Sequence, residues 1–589
     1  MFERNSTLID RKFKEYFVPT LFLSIALSAA LLVSTITAGN LLGEKVLSVI
    51  SIASPLIYCI NTFFYLFVIG GVVCASAAKG ANKENEASKY FTLTMFGGTA
   101  TMFLFALLMI PSMPFIASLL AGKHQELAPD IVAYLVPAMF IGPAMFIGMG
   151  LGQFIRADGY PQTAATIAVI SNFINFIATY VFIKYTSLGI AGASWAMVTG
   201  YALGLLVLIP YLRSPLRSFR FVYIGKQDFR LFLPLFSFGL PKALNQGLNF
   251  LRTIILNTLI LTIFGPGGVA AMVICVNALM LTSSFISGTN DSLLPIVSTL
   301  FGAKDYNGIK YAMTSGFRIL IISSLLFAVV FILFPAEIGV MFGIKTQSGT
   351  DILINALRLY AVSLPVYAIN IMCQNFFQST GRAKFASQIA ALDGFIFVIA
   401  FALLLAKIMP HQIWLCFVLS ETTTLLFIVT AIYRIRKREN LHNMLLLRDE
   451  TEHRRLEISK EFSIDAKTEL IPAFYEQTVS FCHQNGISDS AANRLGVVVE
   501  ELVARTESQN TKKMPVHIDI VLKYSKDELT LILRDDGVQF NPVAVETNDT
   551  QTPIITDGIE LVKKMASTMH YSRQLGFNTL IITLADTNF

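Results

Sequence analysis

RSPLRSFRFVYIGKQDFR, residues 213–230, carries five Lys or Arg in eighteen residues and separates two strongly apolar blocks of roughly two hundred residues each. The block after it repeats the block before it. The first opens on FVPTLFLSIALSAALLVSTITAGNLLGEKVLSVISIASPL (17–56), the second on FGLPKALNQGLNFLRTIILNTLILTIFGPGGVAAMVICVNAL (238–279). Each has an early Pro in a long apolar run, a Gly-containing break and a second apolar run. Short basic loops follow both, AAKGANKENE (77–86) and LFGAKDYNGIK (300–310), and FIRADGYPQTA (154–164) answers FFQSTGRAKFA (376–386). A repeat on this scale decides the architecture before any single residue does. The basic stretch joins two copies of one unit.

Composition says where those units reside. The chain of 589 residues is 54% hydrophobic and only 14% charged, against roughly 25% charged in soluble proteins. Mean hydropathy is +0.61. Apolar windows near the ~20 residues that cross a bilayer fall at 16–38, 46–76, 91–113, 129–153, 163–183, 188–212, 231–264, 267–298, 312–335, 351–378, 386–408 and 412–433. These predict twelve spans, six per half. The six cysteines show no paired spacing and five lie in apolar runs, which reads as core packing rather than a disulfide or metal framework. No feature points to nucleic acid.

Orientation follows from the loops. Arg4, Arg11, Lys12 and Lys14 precede the first window; Lys79, Lys83, Lys89, Arg156, the five cations of 213–230, Lys304, Lys310, Arg382 and Lys384 fill the even-numbered loops. The odd-numbered loops hold at most one each, among them Lys45, Lys123, Lys184, Lys345 and Lys407. The positive-inside rule then puts the first set, and both termini, in the cytoplasm, as expected for a multi-pass plasma-membrane protein. Six spans return the chain to its starting side, so the halves are expected to be parallel repeats about an axis along the membrane normal. The domain reading is a six-helix lobe at 1–212, the loop 213–230, a second lobe at 231–440 and a linker at 441–454. The last segment, 455–589, has the charge content of a soluble domain.

Ionisable residues inside spans are costly and therefore candidates for function. The second half holds Lys242, Arg252, Asp291, Asp393 and Glu421. Asp291 lies mid-window, with Lys242 and Arg252 on the preceding span as its prospective counter-charges, and is expected to be the dominant carboxylate. Uncharged polar residues are frequent in the spans, namely Asn172, Asn175, Asn245, Gln246, Asn249, Asn257, Asn277, Asn370, Gln374 and Asn375, and some of them are expected to join helices.

Residues 1–440 resemble the multidrug and toxic compound extrusion (MATE) family. The resemblance rests on Leu42-Gly43-Glu44, Lys79-Gly80-Ala81-Asn82-Lys83, Gly302-Ala303-Lys304-Asp305, Arg156-Ala157-Asp158-Gly159 with its echo Thr380-Gly381-Arg382, Asn175, Gly189-Ile190-Ala191-Gly192-Ala193 and Gly239-Leu240-Pro241. It implies export of organic, often cationic, compounds driven by inward Na⁺ or H⁺ through rocking of two lobes, with Asn175 among the coupling residues. The family's first-span Asp is missing from Ser34-Thr35-Ile36-Thr37-Ala38-Gly39, and Thr179 stands four residues after Asn175 where relatives often have Asp. Coupling is therefore expected at Asp291, Asp393 or Glu421. Lipid-linked sugar flippases share the superfamily resemblance.

The tail's pattern predicts a strand near 455–463, helices near 466–485 and 488–508, strands at 517–524 and 528–535, a helix near 557–569 and a final strand at 578–584. That order reads as an α/β sandwich. Val497-Val498-Val499-Glu500-Glu501-Leu502, Asp535-Asp536-Gly537-Val538-Gln539-Phe540-Asn541-Pro542, Gly558-Ile559-Glu560-Leu561-Val562-Lys563-Lys564-Met565 and the closing hairpin Tyr571 to Leu580 resemble the ATP-binding domain of anti-sigma-factor serine kinases, in the superfamily of gyrase and the histidine kinases. The resemblance implies that Asp535 accepts the adenine amino proton and that Gly537 lets the base approach. Glu501 would act on the attacking group if the domain were active, and the backbone before Gly558 would wrap phosphates at a helix N-terminus. Arg505 stands where an Asn would ligate Mg²⁺, and Asp557 where phosphate would lie. The tail is thus expected to be a regulatory module that binds ATP or ADP, or a cytoplasmic protein, without turnover, in place of a membrane-sensing kinase.

Overall fold

The computed structural model describes residues 3–585 except 43, 122–124, 215–216, 342–346, 442–443, 448–457, 466–467, 511–514, 526–527 and 545–552. They form two compact units, Phe13–Arg434 and a second made of Met1–Lys12 with Ile435–Phe589.

The larger unit is helical because a backbone in lipid can hydrogen-bond only to itself. Among the described residues, nine helical segments are long and apolar enough to cross a bilayer. The first two windows lie in the helices Thr7–Leu42 and Glu44–Gly80. The seventh and eighth share one helix of 71 residues, Phe232–Gly302. The sequence reading put a break between them at Gly265-Pro266. A straight helix of that length would run about 106 Å. Its two ends nevertheless reach one partner helix only ten residues apart, Leu235 at Gly70 and Thr299 at Gly80, so the chain doubles back between them as that break requires. Among the described residues, two apolar cores anchor the unit. One gathers Phe64, Phe67, Phe146 and Phe154 of the first half, the other Leu357, Leu364, Phe417 and Trp414 of the second.

The halves meet where glycines allow backbones to touch. A Cβ added at Gly70 would fall on the Leu235 carbonyl oxygen, and one at Gly239 on that of Leu66. Likewise Gly80 faces the Thr299 carbonyl and Gly302 that of Ala77. The helix Glu44–Gly80 therefore crosses both ends of Phe232–Gly302 with no side chain between them, as small residues permit in membrane interfaces.

The smaller unit is a five-stranded antiparallel sheet, β1 (Ile458–Asp465), β2 (His517–Ser525), β3 (Glu528–Asp535), β4 (Thr568–Gln574) and β5 (Phe577–Ala585), in the order β1-β2-β3-β5-β4. Alternate residues Leu529, Leu531 and Leu533 of β3 and Leu580, Ile582 and Leu584 of β5 are buried, and share one core with Leu495, Val498, Val499 and Leu502 of the helix Asp489–Gln509. Period-2 burial against a period-3.6 helix face is what the sequence pattern demands. The β4–β5 turn is Leu575-Gly576, both at positive φ (55° and 79°), the geometry of a two-residue hairpin that matches strand twist.

Residues 1–12, expected with the first lobe, belong to this unit. Arg4 is ion-paired with Glu461 (2.9 Å) and Asp519 (3.3 Å), its side chain 4% exposed. The Asn5 amide donates to Ser463 Oγ (3.0 Å), Arg11 pairs with Asp536 (2.9 Å), and Lys12 lies over the Phe577 ring. The pairing spans some 500 positions, beyond any local sequence signal. Removing one member of a buried pair strands the other. Arg4→Ala should therefore destabilise the sheet by about 3 kcal/mol, read as faster amide exchange in β1 and β2 of the full chain while strands β4 and β5 change less.

Candidate functional site

Two sites emerge, one in each unit. In the membrane unit the last two spans bring together the carboxylates that the sequence left unconnected. The helix Ala383–Ala391 widens into a π-helical turn at Leu392–Ile396 before continuing as Phe397–Ile408. Asp393 sits on that turn, 2% exposed, and Glu421 on the helix Leu415–Arg438, 7% exposed. Such π turns recur at functional positions because they re-aim one side chain without ending the helix. Asn370 binds both: its Nδ2 donates to Glu421 Oε2 (2.8 Å), to the Glu421 carbonyl (3.0 Å) and, at the limit, to Asp393 Oδ1 (3.4 Å). The two carboxyl groups lie within hydrogen-bonding reach of each other, Thr424 beside Asp393. The Asn370 amide oxygen has no partner among the described residues. Two buried carboxyl groups and an orphaned amide oxygen form an oxygen-rich cluster that calls for a cation, a proton or a hard metal ion. Arg252, hydrogen-bonded to Asn249 (2.6 Å), stands within electrostatic reach of the pair without bonding to it.

Asp291 differs. It is ion-paired with Lys242 at 3.6 Å, both side chains partly exposed, so its counter-charge is built in. The sequence ranked it first because it lies mid-span; the structure gives the less compensated position to Asp393 and Glu421. Asn175 joins neither group. It accepts from Thr179 Oγ1 (3.3 Å) and packs where Gly200 lets the helix Ala191–Gly204 approach. With Thr in place of an acid at 179, the helix Pro161–Tyr185 has no carboxylate to present.

In the tail an open pocket is lined by Leu502, Arg505, Asp535, Phe540, Tyr571 and Asn578, among others. Asp535 Oδ1 accepts from Asn578 Nδ2 and from the Gly537 amide, both at 2.8 Å. A Cβ at Gly537 would lie 2.6 Å from Asn510 Nδ2 and 2.8 Å from Asp535 Oδ1, so this turn requires glycine. Asn510, which the sequence reading did not single out, holds the turn through the Val538 amide (2.7 Å). It ends a helix, where an Asn reads as an ordinary cap.

Burial pushes the Asp535 carboxyl up to about 6, against the pull of Asn578 and the Gly537 amide. A carboxyl raised in the folded state contributes stability below its ordinary value near 4 and loses it as pH rises through about 6. Asp535→Asn keeps the shape and removes the charge. It should therefore stabilise the tail by ~2 kcal/mol at pH 7.5 and by little at pH 4, measurable as β3 amide exchange at the two pH values.

Arg505 does line the cavity, but its guanidinium lies over Phe540 (4.8 Å), and Gln509, with its amide turned to suit, accepts from its Nε and Nη2 (3.1 and 3.2 Å). Glu501 is not in the lining. Its carboxylate packs against Gly558, where a Cβ would collide with it. Gly558 itself is not at a helix N-terminus: the helix runs Pro553–Met565, because Pro is favoured in a first helical turn and Ile554 and Ile555 continue it. The side chain of Asp557 lies outside the described residues.

The MatE family matches residues 19–181 and 241–404, once in each half. The multidrug export protein MepA of Staphylococcus aureus (strain N315) is 23% identical over 365 residues, 61% of this chain and 79% of its own length. The protein of the same name from Staphylococcus haemolyticus (strain JCSC1435) is 22% identical over 407 residues, 68% and 88%. Among solved structures, a mutant of the Vibrio cholerae MATE transporter VcmN superposes with a TM-score of 0.66 at 20% identity, covering 74% of this chain and 99% of that one. A MOP superfamily transporter from Pyrococcus furiosus gives 0.64 at 18% identity, covering 71% and 93%. Two matched halves, a polytopic helical fold and relatives spanning most of their own length lead to one statement: this chain belongs to the MatE family of membrane proteins.

Proposed function

We propose that the chain is a secondary-active exporter of amphipathic organic compounds, coupled to inward movement of Na⁺ or H⁺. The observation that carries this is the buried Asp393–Glu421 pair held by Asn370. A charge cluster of this kind inside a span is expensive unless it exchanges a cation as part of its work. The MepA relatives are multidrug export proteins, which supports drug-like compounds as substrates. In this reading twelve spans form two lobes with both termini cytoplasmic, and the glycine crossings open and close between them.

The tail is a regulatory domain. Its cavity fits the adenine end of a nucleotide: Asp535 offers an acceptor, Gly537 a close approach, Phe540 and Tyr571 rings for a base to lie against. The phosphate end fits poorly, since Arg505 is engaged with Phe540 and Gln509. Nucleotide would therefore be sensed rather than hydrolysed, and a cytoplasmic protein remains a partner of the same surface.

Inside-out vesicles holding the full chain test the transport reading. Ethidium uptake should follow an imposed H⁺ or Na⁺ gradient with no ATP present. Uptake that needs ATP and ignores both gradients would sink it.

A further inference from the structure

A second pocket lies in the membrane unit between the helix Thr7–Leu42, the segment leading to Arg156, and the first turn of the helix Pro161–Tyr185. The transport reading makes no use of it. Its apolar wall includes Leu23, Met149 and Ile167. Its polar end has three features that suit an anion: a cation, a hydroxyl and a helix start. Arg156, 3% exposed, donates one hydrogen bond to Gln153 and has no carboxylate at ion-pair distance among the described residues. Thr20, 2% exposed, carries a hydroxyl without a hydrogen-bond partner among the described residues. The helix beginning at Pro161, 25 residues long, has no side-chain cap on its first turn, and Pro161 and Ala164 form part of the wall.

The charged neighbours do not neutralise Arg156. Asp291 is within its electrostatic reach but is paired with Lys242 (3.6 Å). Asp158, two residues on, is taken by Lys79 (2.6 Å), the Tyr211 hydroxyl (2.7 Å) and the Ser218 amide (3.0 Å). Tyr16 is neutral at physiological pH. A buried guanidinium left without an anion is strongly destabilising, and an uncapped helix start adds positive potential at the same place.

The geometry points to an anion subsite here: Arg156 and Thr20 hold the carboxylate or phosphate of an amphiphile whose apolar part lies along Leu23, Met149 and Ile167. The anionic group can belong to a lipid headgroup or to a transported solute. This deepens the exporter reading, on which it rests for the second source, and it is tested by binding so that the two can fail separately.

The experiment titrates the full chain, purified in a neutral maltoside, with dodecyl phosphate, using dodecyltrimethylammonium as the charge-reversed control. Arg156→Gln should weaken dodecyl phosphate about tenfold or more, as loss of a charge-assisted bidentate contact does. Arg156→Lys, which keeps the charge but loses the bidentate fork, should fall between wild type and Arg156→Gln, and the ammonium amphiphile should not distinguish the variants. Thr20→Val, which removes one donor and no charge, covers the case in which Arg156→Gln does not fold; it should weaken the phosphate severalfold. Competition by phosphatidylglycerol but not phosphatidylcholine assigns the site to lipid. Gradient-driven uptake of the dodecyl phosphate without such competition assigns it to solute. Equal phosphate binding by wild type, Arg156→Gln and Thr20→Val overturns the subsite. Arg156-dependent binding with no gradient-driven transport of any substrate would instead overturn the exporter reading and leave the subsite standing.

Discussion

Asp393→Asn and Glu421→Gln should each abolish gradient-driven efflux while the protein still inserts and purifies as a single species. Each change keeps the shape and the Asn370 contact and removes one charge. At ~4 Å and an effective dielectric near 20, one carboxylate contributes roughly 4 kcal/mol to holding a monovalent cation, about a thousandfold in affinity. Asp291→Asn should cost less, because Lys242 is then relieved of its partner at a partly exposed site rather than a cation losing its ligand. Efflux from Asp393→Asn or Glu421→Gln at wild-type rates, across a range of pH and Na⁺, would remove the pair from the coupling account.

The second large effect concerns the lobe interface. Gly80→Leu or Gly302→Leu inserts a side chain where the helices Glu44–Gly80 and Phe232–Gly302 touch backbone to backbone. Overpacking of this kind costs roughly 3 kcal/mol, enough to shift a two-state balance by about a hundredfold. Transport should fall by at least that share of the closed population, and a cysteine-accessibility probe near Ala77 and Thr299 should report the interface open. The control is Gly247→Ala on the same long helix, where an added Cβ meets only Thr62 at an ordinary 3.6 Å; it should transport normally. Wild-type transport by both leucine variants would mean that the interface separates in every working state.

What the sequence revealed and what it hid divide along a physical line. Apolar windows and loop charges are local, and the repeat they outline coincides with the two family matches at 19–181 and 241–404. Strands β2 and β3 were legible from alternation alone, to within a residue of His517–Ser525 and Glu528–Asp535. The pairing of Asp393 with Glu421 was not, because 28 positions and a helix turn separate them, and only tertiary packing decides whether two buried acids meet. The same holds for Arg4 and Asp519. Glu501 and Gly558 misled for a different reason: the motif residues are present, but the helix at Pro553 begins earlier than the motif implies and places Gly558 in its second turn. Arg505 is expected from the motif at a metal ligand's place; its stacking on Phe540 required coordinates.

The coupling claim is tested most directly by asking whether substrate displaces the cation from this pair. Purified full chain, equilibrated in weakly buffered detergent with ²²Na⁺ present, is mixed with ethidium while pH and released ²²Na⁺ are followed. Wild type should release H⁺ or Na⁺ in proportion to substrate bound, and the Asp393→Asn, Glu421→Gln double variant should release neither. Substrate binding by wild type with no cation release, or undiminished release by the double variant, would contradict the account.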